Sequence, residues 1–125
     1  MSPRLTPATT TELSRVGLLA DLPGDRLALL AGRMRRDEIP AGSAIVREGE
    51  PGERFYAVLS GLLAVTQEAL GPRRLLRPGD TFGEVALAMD IPRTASVQAL
   101  IPTVVASCDR EAFDELVRPL FVEDD

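Results

Sequence analysis

Glycine sets the rhythm of this chain. From Ile39 onward it falls at positions 42, 49, 52, 61, 71, 79 and 83, too often for a long helix to pass between. The runs it separates are short and β-prone: residues 44–47, 55–59, 62–67 and 74–76. Apolar residues alternate at Phe55-Ala57-Leu59 and at Ala95-Val97-Ala99-Ile101, the period of a strand with one buried face. Short strands punctuated in this way predict a sandwich or jelly-roll barrel. Phe55, Tyr56 and Phe82 are expected in its core. Gly71-Pro72 marks a turn, with Arg73, Arg74 and Arg77 as a solvated rim.

Helices are expected at both ends. Residues 1–11, with two prolines and four threonines, read as a flexible lead-in. Leu13, Val16, Leu18 and Leu19 predict a helix over 11–19 with Thr11 as a possible cap. Leu27, Leu30 and Met34 predict a second over 23–34, with Pro23 and Asp25 suiting its first turn. Arg33, Arg35 and Arg36 are followed at once by Asp37 and Glu38, so they read as a solvated helix end. Asp109 is expected to cap a helix over 110–117 that buries Phe113, Leu116 and Val117. Pro119 ends it and opens an acidic tail over 119–125.

Composition narrows the chemistry. The 125 residues suit one domain with a real core. Histidine, lysine and tryptophan are absent, and all 14 basic residues are arginine. A histidine-free chain cannot run a His-based triad or the common His-rich metal sites. The single cysteine, Cys108, permits no internal disulfide and sits in an apolar run, as a buried structural thiol would. A net charge of −5 argues against general nucleic-acid binding. No catalytic or metal-binding residues are assigned. With no spanning run and no basic-then-apolar leader, a cytoplasmic location is expected.

One stretch carries chemistry. After Pro78-Gly79-Asp80, residues 84–89 are apolar helix formers stopped by Asp90 and Pro92. The first N–H groups of such a turn lack intrahelical partners, and Gly83 lets a ligand approach them. Arg93, after the bend, offers a planar fork of donors suited to phosphate. Glu84 is an acceptor only and suits a sugar hydroxyl. Thr94 and the Ala95 N–H add donors beside the arginine. Alone, Arg93 could be a surface arginine capping a turn; in company, these groups fit a phosphorylated sugar.

Phe82-Gly83-Glu84-Val85-Ala86-Leu87, a spacer, then Pro92-Arg93-Thr94-Ala95 resembles the phosphate-binding cassette of cyclic nucleotide-binding domains. These are the modules of the catabolite activator protein, cyclic nucleotide-dependent kinases and cyclic nucleotide-gated channels. The resemblance continues upstream through residues 40–42, 48–53 and 55–61, and the domain is expected over 12–118. It implies a mainly β fold with flanking helices: a β-roll (double-stranded β-helix, jelly-roll-like) with N-terminal helices, a short cassette helix and a short C-terminal helix. It implies that Arg93 pairs with the cyclic phosphate and Glu84 with the ribose 2′-hydroxyl. Gly83, Ala86 or Leu87, and Ala95 would contact the ligand through their backbone, with Phe82 and Val85 also at the site. A hydroxyl residue at Thr94 favours cyclic GMP in related domains, yet also occurs in cyclic AMP binders, bacterial ones especially. Exclusive use of arginine fits a GC-rich bacterial genome, so cyclic AMP is the expected ligand and cyclic GMP the alternative.

Family members commonly continue into a helix that folds over the nucleotide, for which no room is expected here. The expected role is a non-catalytic sensor acting on an effector domain or partner, with a homo-oligomer allowed and no direct nucleic-acid contact. A scaffold module of the same fold that binds no nucleotide is the alternative. A cupin-type metalloenzyme is a third, which the lack of histidine disfavours.

Overall fold

The computed structural model describes residues 8–121. Two four-stranded antiparallel sheets face each other. The first has the order β1 (Arg35–Ile39), β8 (Thr103–Asp109), β3 (Arg54–Ser60), β6 (Thr81–Phe82). The second has the order β2 (Ala44–Val46), β7 (Ser96–Ala99), β4 (Leu63–Gln67), β5 (Gly71–Leu76). This is the mainly β roll with flanking helices that the glycine spacing and the cassette resemblance predict.

Strand alternation divides the interior into two cores. On β3, Phe55 and Ala57 point one way, to Leu13, Leu30 and Phe113 of the helical segments. Val58 points the other way, with Tyr56 packed against the same cluster, to Leu63, Leu76 and Val97 of the second sheet. β8 repeats the pattern in register: Ala106 and Cys108 on the helical side, Val105 between the sheets, with Phe55 opposite Cys108 and Val58 opposite Val105. A period of two on the central strands therefore serves both layers. Buried Ser107 is satisfied by Arg54, whose Nε and Nη2 donate to its Oγ and carbonyl at 2.9 and 3.1 Å.

Several element ends differ from expectation. The first helix is α1 (Thr10–Ser14), followed by turns. Its cap is Thr9, which forms a capping box with Glu12. Ala8 is buried and donates to the Met34 carbonyl at 3.1 Å, so the part of the expected lead-in within the described residues packs on the core. The helix expected over 23–34 is α2 (Gly24–Arg33). Arg35 and Arg36 belong to β1, not to a helix end; they pair with Asp37 at 2.9 Å and Glu12 at 3.2 Å. Gly71 and Pro72 open β5 instead of forming the turn. At the C-terminus, Asp109 caps α4 (Arg110–Ala112), accepting from the Ala112 N–H at 2.9 Å. The backbone then widens to π-type bonding over Phe113–Val117 and tightens to a 3-10 turn over Arg118–Phe121. Pro119 does not stop it, because a first-turn residue has no helical bond to lose. Residues 122–125 of the expected acidic tail, like 1–7 of the lead-in, lie outside the described residues.

Cys108 is fully buried, and that burial pushes its thiol up to about 12. The folded protein at about pH 8 should then react with a soluble aromatic disulfide only as fast as it unfolds. Prompt stoichiometric labelling would contradict the packing described.

Candidate functional site

The site forms where the first sheet hands the chain to the second. β6 pairs with β3, Phe82 opposite Tyr56, and the chain turns sharply at Gly83 with φ of 97°. A Cβ there would lie 2.8 Å from the Arg54 carbonyl oxygen and 2.9 Å from Arg93 Nη1, so the position admits only glycine without displacement. α3 (Glu84–Met89) follows with the bounds predicted from its apolar run. Asp90 ends it in the left-handed region, φ 55°, and the Ile91 N–H returns to the Ala86 carbonyl at 3.1 Å.

Arg93 is then clamped at both backbone groups. Its N–H donates to the Glu50 carbonyl at 2.8 Å, and its carbonyl accepts from the Gly49 N–H at 2.9 Å. The side chain runs inward, leaving the residue 7% exposed. Nη2 donates to the Arg54 carbonyl at 2.9 Å, and Nη1 to the Gly83 carbonyl at 3.3 Å. The guanidinium lies 5.8 Å from the centre of the Tyr56 ring, which stacks on Phe82 with centroids 4.8 Å apart. Among the described residues no carboxylate comes within 4 Å of it. Burial lowers its pKa from the ordinary value, partly offset by Tyr56, Glu53 and Glu84. Burial likewise raises the Tyr56 phenol, with Arg93 acting against it. Beside this cation, Glu84 Oε1 is buried and has no hydrogen-bond partner. Such an orphan acceptor costs roughly 1–3 kcal/mol unless something donates to it.

A cavity of about 360 Å³ opens over these groups. Of the residues predicted from sequence, Phe82, Gly83, Glu84, Val85 and Ala86 line it from one side and Arg93, Thr94 and Ala95 from the other. Leu87 does not; its side chain is fully buried in the helical-side core.

Sequence reasoning missed four contributors. Tyr56 supports Arg93 as well as filling space. Arg73 and Arg74, read as a solvated rim, line the cavity. On β5, Arg74 lies opposite Val65 and two residues before buried Leu76, which puts it on the inward face. The signal was available in that count back from Leu76. Gln67 anchors the far lip, its Nε2 donating to the Thr94 carbonyl at 2.8 Å. Three arginines thus line the cavity with one carboxylate, Glu84, in a chain of net charge −5. Such a cavity takes an anion.

Two further arginines reach the cassette from the C-terminal segment. The Leu87 carbonyl accepts from Arg110 Nη1 at 3.3 Å and from Arg118 Nη2 at 3.2 Å. The Ala88 carbonyl accepts from Arg118 Nη1 at 3.2 Å, and Arg110 Nη2 donates to the Gly52 carbonyl at 3.2 Å. These cations complement the carbonyl end of α3. Gly52 is itself enclosed: a Cβ would lie 2.5 Å from Ala86 Cβ and 3.3 Å from Arg93 Cζ. Gly52→Ala should therefore cost about 1–3 kcal/mol in urea unfolding by forcing Ala86 or Arg93 aside. An unchanged midpoint would refute that close fit.

Among the described residues, no helix is long and apolar enough to cross a membrane, and no group of three or more His, Cys, Asp or Glu could hold a metal ion. The family model for the cyclic nucleotide-binding domain matches residues 36–119. The chain is 40% identical over 114 residues to the cGMP-dependent protein kinase egl-4 of Caenorhabditis briggsae, spanning 86% of this chain and 15% of that protein. It is 38% identical over 107 residues to the cAMP-dependent protein kinase regulatory subunit of Debaryomyces hansenii, spanning 86% of this chain and 24% of that one. The regulatory domain of Toxoplasma gondii PKA, solved with cAMP, superposes with a TM-score of 0.84 at 30% identity, covering 90% of this chain and 45% of that one. The chain thus spans less than half of each. These relatives are eukaryotic and lend no support to the bacterial source expected from arginine usage.

Proposed function

The chain belongs to the cyclic nucleotide-binding domain family, and from that premise we propose that it is a non-catalytic sensor whose cavity binds a cyclic nucleotide monophosphate. The observation that carries the reading is Arg93. A guanidinium buried without a counter-ion is costly, and a cyclic phosphodiester supplies the one negative charge it lacks. Its remaining N–H donors and the backbone N–H of Ala95 would hold the phosphate, with those of Ala86 and Leu87 facing it from α3. Gly83 lets the sugar close on the backbone, and the ribose 2′-hydroxyl would donate to the orphan Oε1 of Glu84. Phe82, Val85 and the valines at 46, 65 and 97 give the purine apolar walls.

Cyclic AMP is the ligand we assign first. The regulatory subunit from D. hansenii and the T. gondii regulatory domain are the relatives that support it. One observation favours cyclic GMP as the second reading: Arg73, Arg74 and Thr94 line the cavity. Guanine offers two acceptors on the edge where adenine offers an acceptor and a donor, and arginine can only donate. The egl-4 relative is in keeping with it.

The signal would leave through Arg110 and Arg118. Ligand draws α3 onto the phosphate, and the Leu87 and Ala88 carbonyls carry that position to the C-terminal segment. A ligand that binds one arrangement better than another shifts the population between them. The effector is a further domain or a partner protein, met in the cytoplasm.

Calorimetric titration with cyclic AMP and cyclic GMP tests the ligand. Micromolar binding to the native chain is expected, about −8 kcal/mol, with Arg93→Ala weakening it by at least ~30-fold. Unchanged affinity in that variant overturns the assignment, and no binding by the native chain would leave the scaffold reading. Arg118→Gln should keep the ligand but lose ligand-induced hydrogen-exchange protection over residues 113–121. Undiminished protection there would remove the proposed route.

A further inference from the structure

A second cleft, of about 310 Å³, lies beneath α1 and shares no lining residue with the nucleotide cavity. It exists because β3 is irregular at its end. Pairing with β8 slips between Val58 and Ser60, leaving Leu59 without a partner and opening the floor of the sheet. Half-buried Leu59 and Val104 give the cleft apolar walls, and the Pro78-Gly79 turn forms its rim. That rim is fixed, since the Gly17 N–H donates to the Gly79 carbonyl at 3.2 Å and the Gly79 N–H to the Val58 carbonyl at 2.9 Å.

Its charges do not balance. Glu12, Arg15 and Arg36 line the cleft. Both oxygens of Glu12 are engaged, Oε1 with the Thr9 N–H at 3.0 Å and Oε2 with Arg36 Nη2 at 3.2 Å. Arg36 Nε is nonetheless buried with no acceptor. Arg15 is exposed, and among the described residues no carboxylate comes within 4 Å of it. Two arginines therefore line the cleft with one carboxylate that is already spent, and one buried donor is left over. Ion pair and cap together account for Glu12 but not for Arg36 Nε or for Arg15.

We infer that this cleft is a binding site for a small aliphatic carboxylate. A monoanion restores the charge balance, accepts from Arg36 Nε and pairs with Arg15 at the mouth. Its tail lies along Leu59 and Val104. A bare inorganic anion would leave those walls wet, and a neutral chain would leave Arg36 Nε unmet.

Amide NMR of the full chain, titrated separately with octanoate, octanol, octylammonium and acetate, tests the site. Octanoate should give saturable shifts at Val16, Leu59, Ser60 and Gly79, and the other three should not. Arg36→Gln should weaken octanoate at least ~10-fold and Arg15→Gln ~5-fold, as for lost charge-assisted contacts. Arg15 is exposed, so its variant stays informative even if Arg36→Gln folds poorly. Absence of saturable octanoate shifts overturns the proposal. So does octanol or acetate binding as tightly as octanoate, or octanoate affinity unchanged in Arg15→Gln.

Discussion

The structure depends on a buried guanidinium that the protein positions but does not neutralise. Arg93 is held by the Arg54 and Gly83 carbonyls, backed by Tyr56, and pinned through its own backbone to the 49–50 turn. Every one of these contacts orients the fork; none of them carries a full negative charge. Two glycines, at 52 and 83, exist in the spaces that remain around it. Fold and site are thus the same arrangement, because moving Arg93 would require moving β3, α3 and the 49–52 turn together.

β3 explains how a ligand cavity on one layer reaches helices on the other. Tyr56 and Phe55 are adjacent, so they point to opposite faces of the sheet. Tyr56 supports Arg93, while Phe55 packs at 5.5 Å on Phe113 of the C-terminal segment. The same division recurs in α3, where Glu84, Val85 and Ala86 line the cavity and Leu87 is buried among the helices. A short helix with one face in each core, its carbonyl end gripped by Arg110 and Arg118, cannot shift without both layers registering it.

Much of this was legible in the sequence where local chemistry decides the outcome. The run 84–89 is bounded by a glycine that must turn and by Asp90 and Pro92, and α3 takes those bounds. What was hidden depends on partners distant in the chain. β1 reads Arg-Arg-Asp-Glu-Ile and looks like a helix end, yet it becomes an edge strand because β8 offers it a ladder. Arg73 and Arg74 look like a solvated rim until pairing with β4 turns Arg74 inward. The C-terminal segment has ordinary helical periodicity, but Arg118 reaches the α3 carbonyls where the bonding departs from α, and no local pattern announces that. Thr9 and Glu12 form a capping box legible in their Thr-x-x-Glu spacing, in place of the expected cap at Thr11.

The proposed sensor role rests on Arg93 meeting a cyclic phosphate. The most direct measurement follows the Arg93 side-chain Nε–H resonance by NMR as cyclic AMP, and then cyclic GMP, is added. The proposal predicts a saturable shift and slowed solvent exchange at Arg93 with the nucleotide that binds. A nucleotide that binds while the Arg93 resonance stays in place would contradict the account.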